Sequence, residues 1–330
     1  MSEPTPLRFI DAVNGFQRTA VIRAAVEFDV FTAIGEGHDT VEALAARLGV
    51  ARKGARVLAD ALVILHLLEK QDGRYTLNEE SALFLDRRSP RYLGGAIRFL
   101  LSEPVLSAYA EFSQAVGAGG GRGEVLEAGH PLWGQFALGM APLMLTSIQK
   151  VVEVMLPAGD VLDIAAGHGL FGTGLLESGA ARSVTAVDWP NVLEVARANA
   201  EAAGVADRWR ARPGDALNVD LGAGYDTALV CNFLHNLAPD TCRALLKRLH
   251  GALAGAGRVA IVEFLPNSDR VSPSAAAWFA VQMLAMTPAG DAYTLAEYTE
   301  FLTASGFTEP TLYPIPGAAR HVLVAERRLR

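Results

Sequence analysis

Two cysteines among 330 residues, Cys231 and Cys242, are too few for a disulfide framework, and both fall in segments that read as a core strand and a core helix. A reducing cytoplasm is the expected setting. Apolar runs of membrane length are missing as well: no stretch approaches the roughly 18 residues needed to span a bilayer. The opening MSEPTPLRFIDAV has no basic segment followed by an apolar core, so no membrane partner is expected. Lys and Arg (29) are outnumbered by Asp and Glu (36), and the formal net charge of -7 argues against a surface built to neutralise nucleic-acid phosphates. The seven histidines (38, 66, 130, 168, 235, 250 and 321) show no ligand spacing, and the Asp/Asn cluster needed for Mg²⁺ is absent, so no metal is expected.

The chain is rich in apolar residues, 51%, enough to bury a large core, and its length favours two domains over one. Apolar positions recur at helical spacing from Ala12 to Ile34 on a segment with almost no charged face, which suggests burial against another subunit. Thr40 is placed to cap a helix through VEALAARL and Gly49 to end it. ARKGARVLADALVILHLLEK resumes helical spacing, and DGRYTLNEES turns like a small hairpin. Two helices joined tightly and followed by a hairpin describe a winged helix. AVGAGGGRGE (115–124) precedes no helix start and reads as a mobile connector rather than a phosphate loop. From residue 160 onward strand-like and helix-like runs alternate, which predicts a doubly wound parallel sheet covered by helices, with RHVLVAE (320–326) as a last edge strand. The expected division is a helical, winged-helix region (1–100), connecting helices (101–150) and a Rossmann-like catalytic domain (151–330).

In such a sheet ligands lie beyond the carboxyl ends of the strands, and the first strand-to-helix turn is where backbone must approach them. GHGLFG (Gly167, Gly169, Gly172) occupies that turn, and Asp188 follows at about the 20-residue spacing of a carboxylate on ribose hydroxyls. This motif alone leaves dinucleotides and other adenosine cofactors open. Asp163 inside the strand and a further acidic signal, GDAL at 214–217, narrow the choice.

With an acidic strand residue before a Gly-x-Gly turn, the chain resembles the S-adenosylmethionine-dependent methyltransferases. At CNFLHNLAPDTCRALLKRLHGALAGAGRVAIVEFLP (231–266) it resembles the small-molecule O-methyltransferases related to plant caffeate and hydroxyindole enzymes, and FQRTAVIRAAVEFDVFTAI with the winged helix is similar to their dimerisation domain. The resemblance covers nearly the whole chain and implies a homodimer, S-adenosylmethionine as cofactor and a small-molecule acceptor. It implies that Gly167 and Gly169 pass close to the cofactor's methionine part, that Asp188 binds the ribose and that Asp215 meets the adenine amino group with Ala216 and Leu217 beside the base. Asp163, Trp189, Gly214, Asn232 and Met140 complete the implied cofactor set. It nominates His235 as general base, a role suited by an imidazole's ordinary pKa of about 6.5, with Glu263 and Asp291 as catalytic carboxylates. Phe136, Met144, Asn236, Phe279, Met283 and Met286 are nominated for the acceptor.

The sequence departs from the family at two places. Asn236 and Leu237 follow the histidine where an acid and an aromatic residue are usual, and Trp189 offers an aromatic face instead. AGDAYT (289–294) puts Ala292 and Tyr293 where the family carries Glu and Arg, leaving Asp291 one residue away. Those changes keep C- or N-methylation and a non-methylating use of the cofactor open beside O-methylation. The winged helix, with Arg47, Arg52, Lys53 and Arg56, keeps a ligand-responsive regulator open as a lesser alternative.

Overall fold

Apolar residues fill the centres of the runs Gly159–Ile164, Ala181–Asp188, Tyr225–Cys231 and Leu253–Phe264, and these form strands buried on both faces, as parallel sheets require. The computed structural model describes residues 5–123, 130 and 132–329, with Leu132 and Gln135 described by backbone alone. They divide into two units, Met1–Ser102 and Glu103–Arg330.

In the first unit the apolar N-terminal stretch is not one helix. It breaks into Leu7–Val13, Gly15–Glu27 and Val30–Gly35, the last break lying at Asp29, which takes a positive φ of 61°. Leu7, Phe9, Ile10, Val13 and Phe16 are all exposed on these helices. Thr40 accepts a hydrogen bond from the Ala43 N–H at 3.2 Å and caps Val41–Leu48, and Gly49 closes that helix in the left-handed conformation, as the sequence predicts. Helix Arg52–Ile64 follows, then an antiparallel hairpin of β1 (Glu69–Gln71) and β2 (Arg74–Thr76). Its two turn residues, Asp72 and Gly73, have φ of 49° and 78°, which matches the strand twist in a tight hairpin. Phe31, Leu44, Leu62 and Tyr75 are buried together under this winged helix.

The second unit is built on seven strands: β3 (Gly159–Ile164), β4 (Ala181–Asp188), β5 (Trp209–Pro213), β6 (Tyr225–Cys231), β7 (Leu253–Phe264), β8 (Thr311–Pro314) and β9 (Arg320–Glu326). Their order in the sheet is β5-β4-β3-β6-β7-β9-β8, with β3 to β7 parallel and β9 antiparallel to both neighbours. The strand RHVLVAE is therefore not at the edge. It is inserted between β7 and β8, and its consecutive Val322, Leu323 and Val324 are the apolar signature of an inner strand. Helices Leu132–Val154, Leu170–Glu177 and Pro190–Ala202 cover one face through Met144, Ile148, Leu175 and Ala196. Pro239–Ala252 and Leu295–Ala304 cover the other through Leu245, Leu246, Tyr298 and Phe301. Strand order reverses between β3 and its two neighbours, so the crevice of this switch point lies beyond Ile164, Asp188 and Cys231.

The glycine run after residue 118 is a second departure from expectation. Gly119 ends helix Phe112–Ala118, and the Gly121 N–H then donates to the Thr287 carbonyl at 2.8 Å. A Cβ at Gly120 or Gly121 would collide with the carbonyl oxygens of Pro288 and Ala285 respectively. Here glycine serves close backbone approach, and the run is seated rather than a mobile connector; Glu124 lies outside the described residues. Gly121→Ala is expected to lower stability by about 1–3 kcal/mol through overpacking. Gly117→Ala, at a helical site with open space around the new methyl group, should be neutral or gain a few tenths of a kcal/mol. Denaturant unfolding of the pair checks this, and equal midpoints would refute the packed seat.

Candidate active site

Three of the five residues after β3 have left-handed backbone: Ala165, Gly167 and Gly169, with φ of 51°, 56° and 70°. For alanine that conformation is strained, a feature that concentrates at functional sites. A Cβ on Gly167 would meet nothing nearer than the Ala165 carbonyl at 3.9 Å, so the turn is open there and forms a shallow cradle. Gly167 donates its N–H to Asp188 Oδ2 at 2.9 Å, and the Trp189 N–H donates to Oδ1 at 2.7 Å. The backbone N–H of Gly214 reaches the Asp188 carbonyl at 3.0 Å. One residue at the end of β4 thus binds together the turns after β3, β4 and β5. Asp215 turns its carboxylate inward on its own loop, accepting from the Leu217 N–H at 2.9 Å and from the Asn218 amide, while Ala216 is buried in the core.

Burial sets the acidity here. Asp163 is 1% exposed, its Oδ2 lacks a hydrogen-bond partner, and desolvation pushes its pKa up to about 7. Asp188 rises to about 6 for the same reason, opposed by the two backbone N–H groups it accepts. His168 goes the other way, to about 4, because burial disfavours its cation and the Arg320 charge adds to that. Its Nδ1 accepts the Leu170 N–H at 3.1 Å, so the neutral ring caps the first turn of the following helix.

Across the switch point, β6 ends at Cys231 and Asn232 takes a left-handed φ of 55°. The Asn232 amide approaches Met144 Sδ at 3.6 Å, and its Oδ1 is buried without a partner. The chain then makes a short 3₁₀ turn, Leu234–Asn236. Glu263, fully buried near the end of β7, receives that turn: Oε1 accepts the N–H groups of Phe233 (3.0 Å) and His235 (3.3 Å), and Oε2 lies 2.6 Å from His235 Nδ1. A carboxylate only accepts, so Nδ1 carries the proton and Nε2 is left with its lone pair. The imidazole stands edge-on to Phe279 at 4.7 Å between centroids, and Phe279 stacks on Phe264 at 4.1 Å.

Asp291 meets His235 by its backbone. Its N–H donates to the His235 carbonyl at 3.0 Å, while its carboxylate bonds to Arg270 and the Ala292 N–H. Ala292 and Tyr293 are buried, and the Tyr293 hydroxyl bonds the Leu237 carbonyl at 2.5 Å, so these two family departures are filled by core packing. Met140 and Met144 lie one turn apart on helix Leu132–Val154, and Phe136 one turn earlier packs on Trp133. Met144, Met283 and Met286 are buried, Met140, Phe279 and Asn236 partly so. Sequence reading missed the cap that His168 makes and the burial of Arg320. Among the described residues no group of three or more His, Cys, Asp and Glu side chains is arranged to hold a metal, and no helix is long and apolar enough to cross a membrane.

Strand order, a strained glycine turn after β3 and an acid at the end of β4 define a doubly wound fold with a site for an adenosine-type cofactor at its switch point. Comparison with known proteins makes the assignment specific. Residues 99–308 match the O-methyltransferase domain and residues 10–87 the O-methyltransferase dimerisation domain. The crystal structure of a candidate O-methyltransferase from Nostoc punctiforme shares 43% identity over 99% of this chain and 100% of its own, with a TM-score of 0.94. The 3-hydroxy-5-methyl-1-naphthoate 3-O-methyltransferase of Streptomyces sahachiroi is 29% identical over 95% of this chain and 93% of its own. Human N-acetylserotonin methyltransferase, solved with S-adenosylmethionine, shares the fold at a TM-score of 0.85 and 22% identity over 99% of both chains. The chain belongs to the O-methyltransferase family, enzymes that use S-adenosylmethionine as methyl donor.

The buried carboxyls give a signed pH dependence. Asp163 binds its proton more tightly folded than unfolded, so its contribution is neutral below about 4 and turns increasingly unfavourable as pH rises towards 7. Relative to wild type, ligand-free Asp163→Asn should gain stability across that window, on the order of 3 kcal/mol at its upper end. Parallel curves of unfolding free energy against pH for the two proteins would refute the raised pKa.

Proposed function

We propose that this enzyme transfers the methyl group of S-adenosylmethionine to a hydroxyl of a small aromatic or polycyclic acceptor, with His235 as general base. The observation that carries the reading is the His235–Glu263 contact at 2.6 Å, fully buried on the Glu side, which leaves Nε2 as the basic nitrogen. Relatives named for a hydroxynaphthoate and for the polyketide tetracenomycin support the acceptor class.

The residues at the switch point fit the donor. The open side of Gly167 gives a backbone cradle, Asp188 keeps lone pairs free beyond its two N–H contacts, and Asp163 and Asn232 hold buried oxygens without partners. When bound, S-adenosylmethionine supplies an electrophilic methyl group on a sulfonium. Gly167, Gly169 and Asp163 would flank its amino-acid end, Asp188 its ribose, and Gly214, Asp215, Ala216 and Trp189 its adenine, with Asn232 and Met140 closing the site. Phe136, Met144, Asn236, Phe279, Met283 and Met286 would surround a flat apolar acceptor with thioether and aromatic surface, which adapts to shape. His235 Nε2 takes the hydroxyl proton, raising the nucleophilicity of the oxygen. Glu263 holds the ring in the Nδ1–H tautomer and stabilises the imidazolium that forms. Asp291 acts through the loop: its N–H on the His235 carbonyl, with its carboxylate fixed by Arg270, holds the histidine's backbone in place.

His235→Ala should lower kcat by about 10²–10⁴-fold while leaving affinity for S-adenosylhomocysteine unchanged. Glu263→Gln, which keeps the shape and loses the charge, should reduce kcat in the same direction. Turnover equal to wild type in both variants, measured with any methylated acceptor, would sink the base assignment.

The dimerisation-domain match and the exposed Leu7, Phe9, Ile10, Val13 and Phe16 support a homodimer formed through the N-terminal helices. Light scattering should give the mass of two chains, and Phe9→Asp with Phe16→Asp should shift it towards one. A single-chain mass for wild type would refute the assembly.

A further inference from the structure

Arg320 opens β9 directly opposite Phe264 and is 9% exposed. Its Nη2 donates to the Leu143 carbonyl at 2.9 Å, on the turn of helix Leu132–Val154 that carries Met144. Its guanidinium lies over the Phe264 ring at 5.2 Å, and Phe264 is the ring that stacks on Phe279, the neighbour of His235. Nε is buried and has no hydrogen-bond partner, and among the described residues no carboxylate lies within ion-pair distance of this cation. Its charge adds to the loss of basicity of His168 in the glycine turn, and the Glu263 carboxylate in turn favours the Arg320 cation against desolvation. Arg320 is therefore linked to the surroundings of His235 through the Phe264 and Phe279 rings. Desolvating an ion costs more than one carbonyl and one ring face return, and nothing else in the mechanism uses this group.

Resting on the methyltransferase reading above, we propose that Arg320 is the carboxylate-binding residue of the site, its guanidinium taking a carboxylate carried either by the acceptor or by the amino-acid end of the methyl donor. A planar fork of N–H donors matches a planar carboxylate, and an entering anion satisfies both the orphaned Nε–H and the uncompensated charge. The two sources share one chemistry and are separated by which binding event responds to the residue.

Calorimetric titration of wild type, Arg320→Lys and Arg320→Gln distinguishes them. One pair of ligands is S-adenosylhomocysteine and 5′-methylthioadenosine, which lacks the amino-acid end. The other is 1-hydroxy-2-naphthoate and 1-naphthol, each titrated with S-adenosylhomocysteine saturating. If the donor supplies the carboxylate, Arg320→Gln weakens S-adenosylhomocysteine by about tenfold or more and leaves methylthioadenosine unchanged. If the acceptor supplies it, the naphthoate weakens by that factor while naphthol and S-adenosylhomocysteine do not. Arg320→Lys should fall between in either case. Should the variants unfold, wild type alone decides: the carboxamide of S-adenosylhomocysteine or of the naphthoate must bind about tenfold more weakly than its acid. Acids that bind no better than their neutral counterparts in both pairs overturn the proposal. Failure of wild type to bind either adenosine ligand overturns the methyltransferase reading instead.

Discussion

Glu263 is the constraint on which the site depends. It is fully buried near the end of β7, and it accepts from two backbone N–H groups and from the imidazole Nδ1. A buried carboxylate without such partners would be strongly destabilising. The acid thus requires the turn after β6 to fold back on it, and the turn places His235 in reach. Orientation of the imidazole and solvation of the acid are one interaction. The left-handed Asn232 is the backbone kink that permits that reversal immediately after the strand, with its N–H on the Val262 carbonyl at 2.8 Å.

Electrostatics on the donor side follow from the same scarcity of water. Burial drives Asp163 to about 7, Asp188 to about 6 and His168 to about 4, each towards its neutral form. Only Asp188 is offered two backbone donors at close range, and it sits at the meeting point of three loops. A carboxylate with fixed donors on one side and open lone pairs on the other is preorganised for hydroxyl groups. Asp163 holds an orphaned oxygen inside β3, close to Gly172 in the first turn of the following helix.

Much of this was legible in the sequence because local physics decides it. Short continuous apolar runs and period-3.6 patterns separate strands from helices, Thr40 caps where a hydroxyl is needed, and Asp72-Gly73 takes the positive φ pair of a tight hairpin. The glycines and acids at 163, 167, 169, 188 and 215, with His235 and Glu263, were nominated together, and the sheet does gather them at its carboxyl end. What escaped is decided by contacts far apart in the chain. RHVLVAE becomes an inner strand because Leu253–Phe264, far earlier in the chain, pairs along one side of it and leaves the other side to TLYP. The glycines of 119–123 look like a connector until Ala285, Thr287 and Pro288 arrive against them. Arg320 reads as an ordinary strand-end charge, and only the approach of helix Leu132–Val154 and the Phe264 ring buries it.

The two halves of the site stand on different strands, so their mutual geometry is a matter of register. β3 pairs Asp163 with Leu229 and Ile164 with Val230 on β6, and β6 pairs Val230 with Ile261 and Cys231 with Val262 on β7. Those ladders carry the position of the glycine turn across to Glu263, one residue beyond the last pair. Every strand in this chain of pairings is buried on both faces, so slipping one by a single residue would expose apolar side chains to the wrong layer across the whole strand. The rigidity that fixes the glycine turn against His235 is thus the hydrophobic core itself. The residues proposed for the acceptor have no such tie: Met144, Met283, Met286 and Phe279 are borne on helices, and flexible thioethers there can change shape while the ladders hold the glycine turn and Glu263 in place.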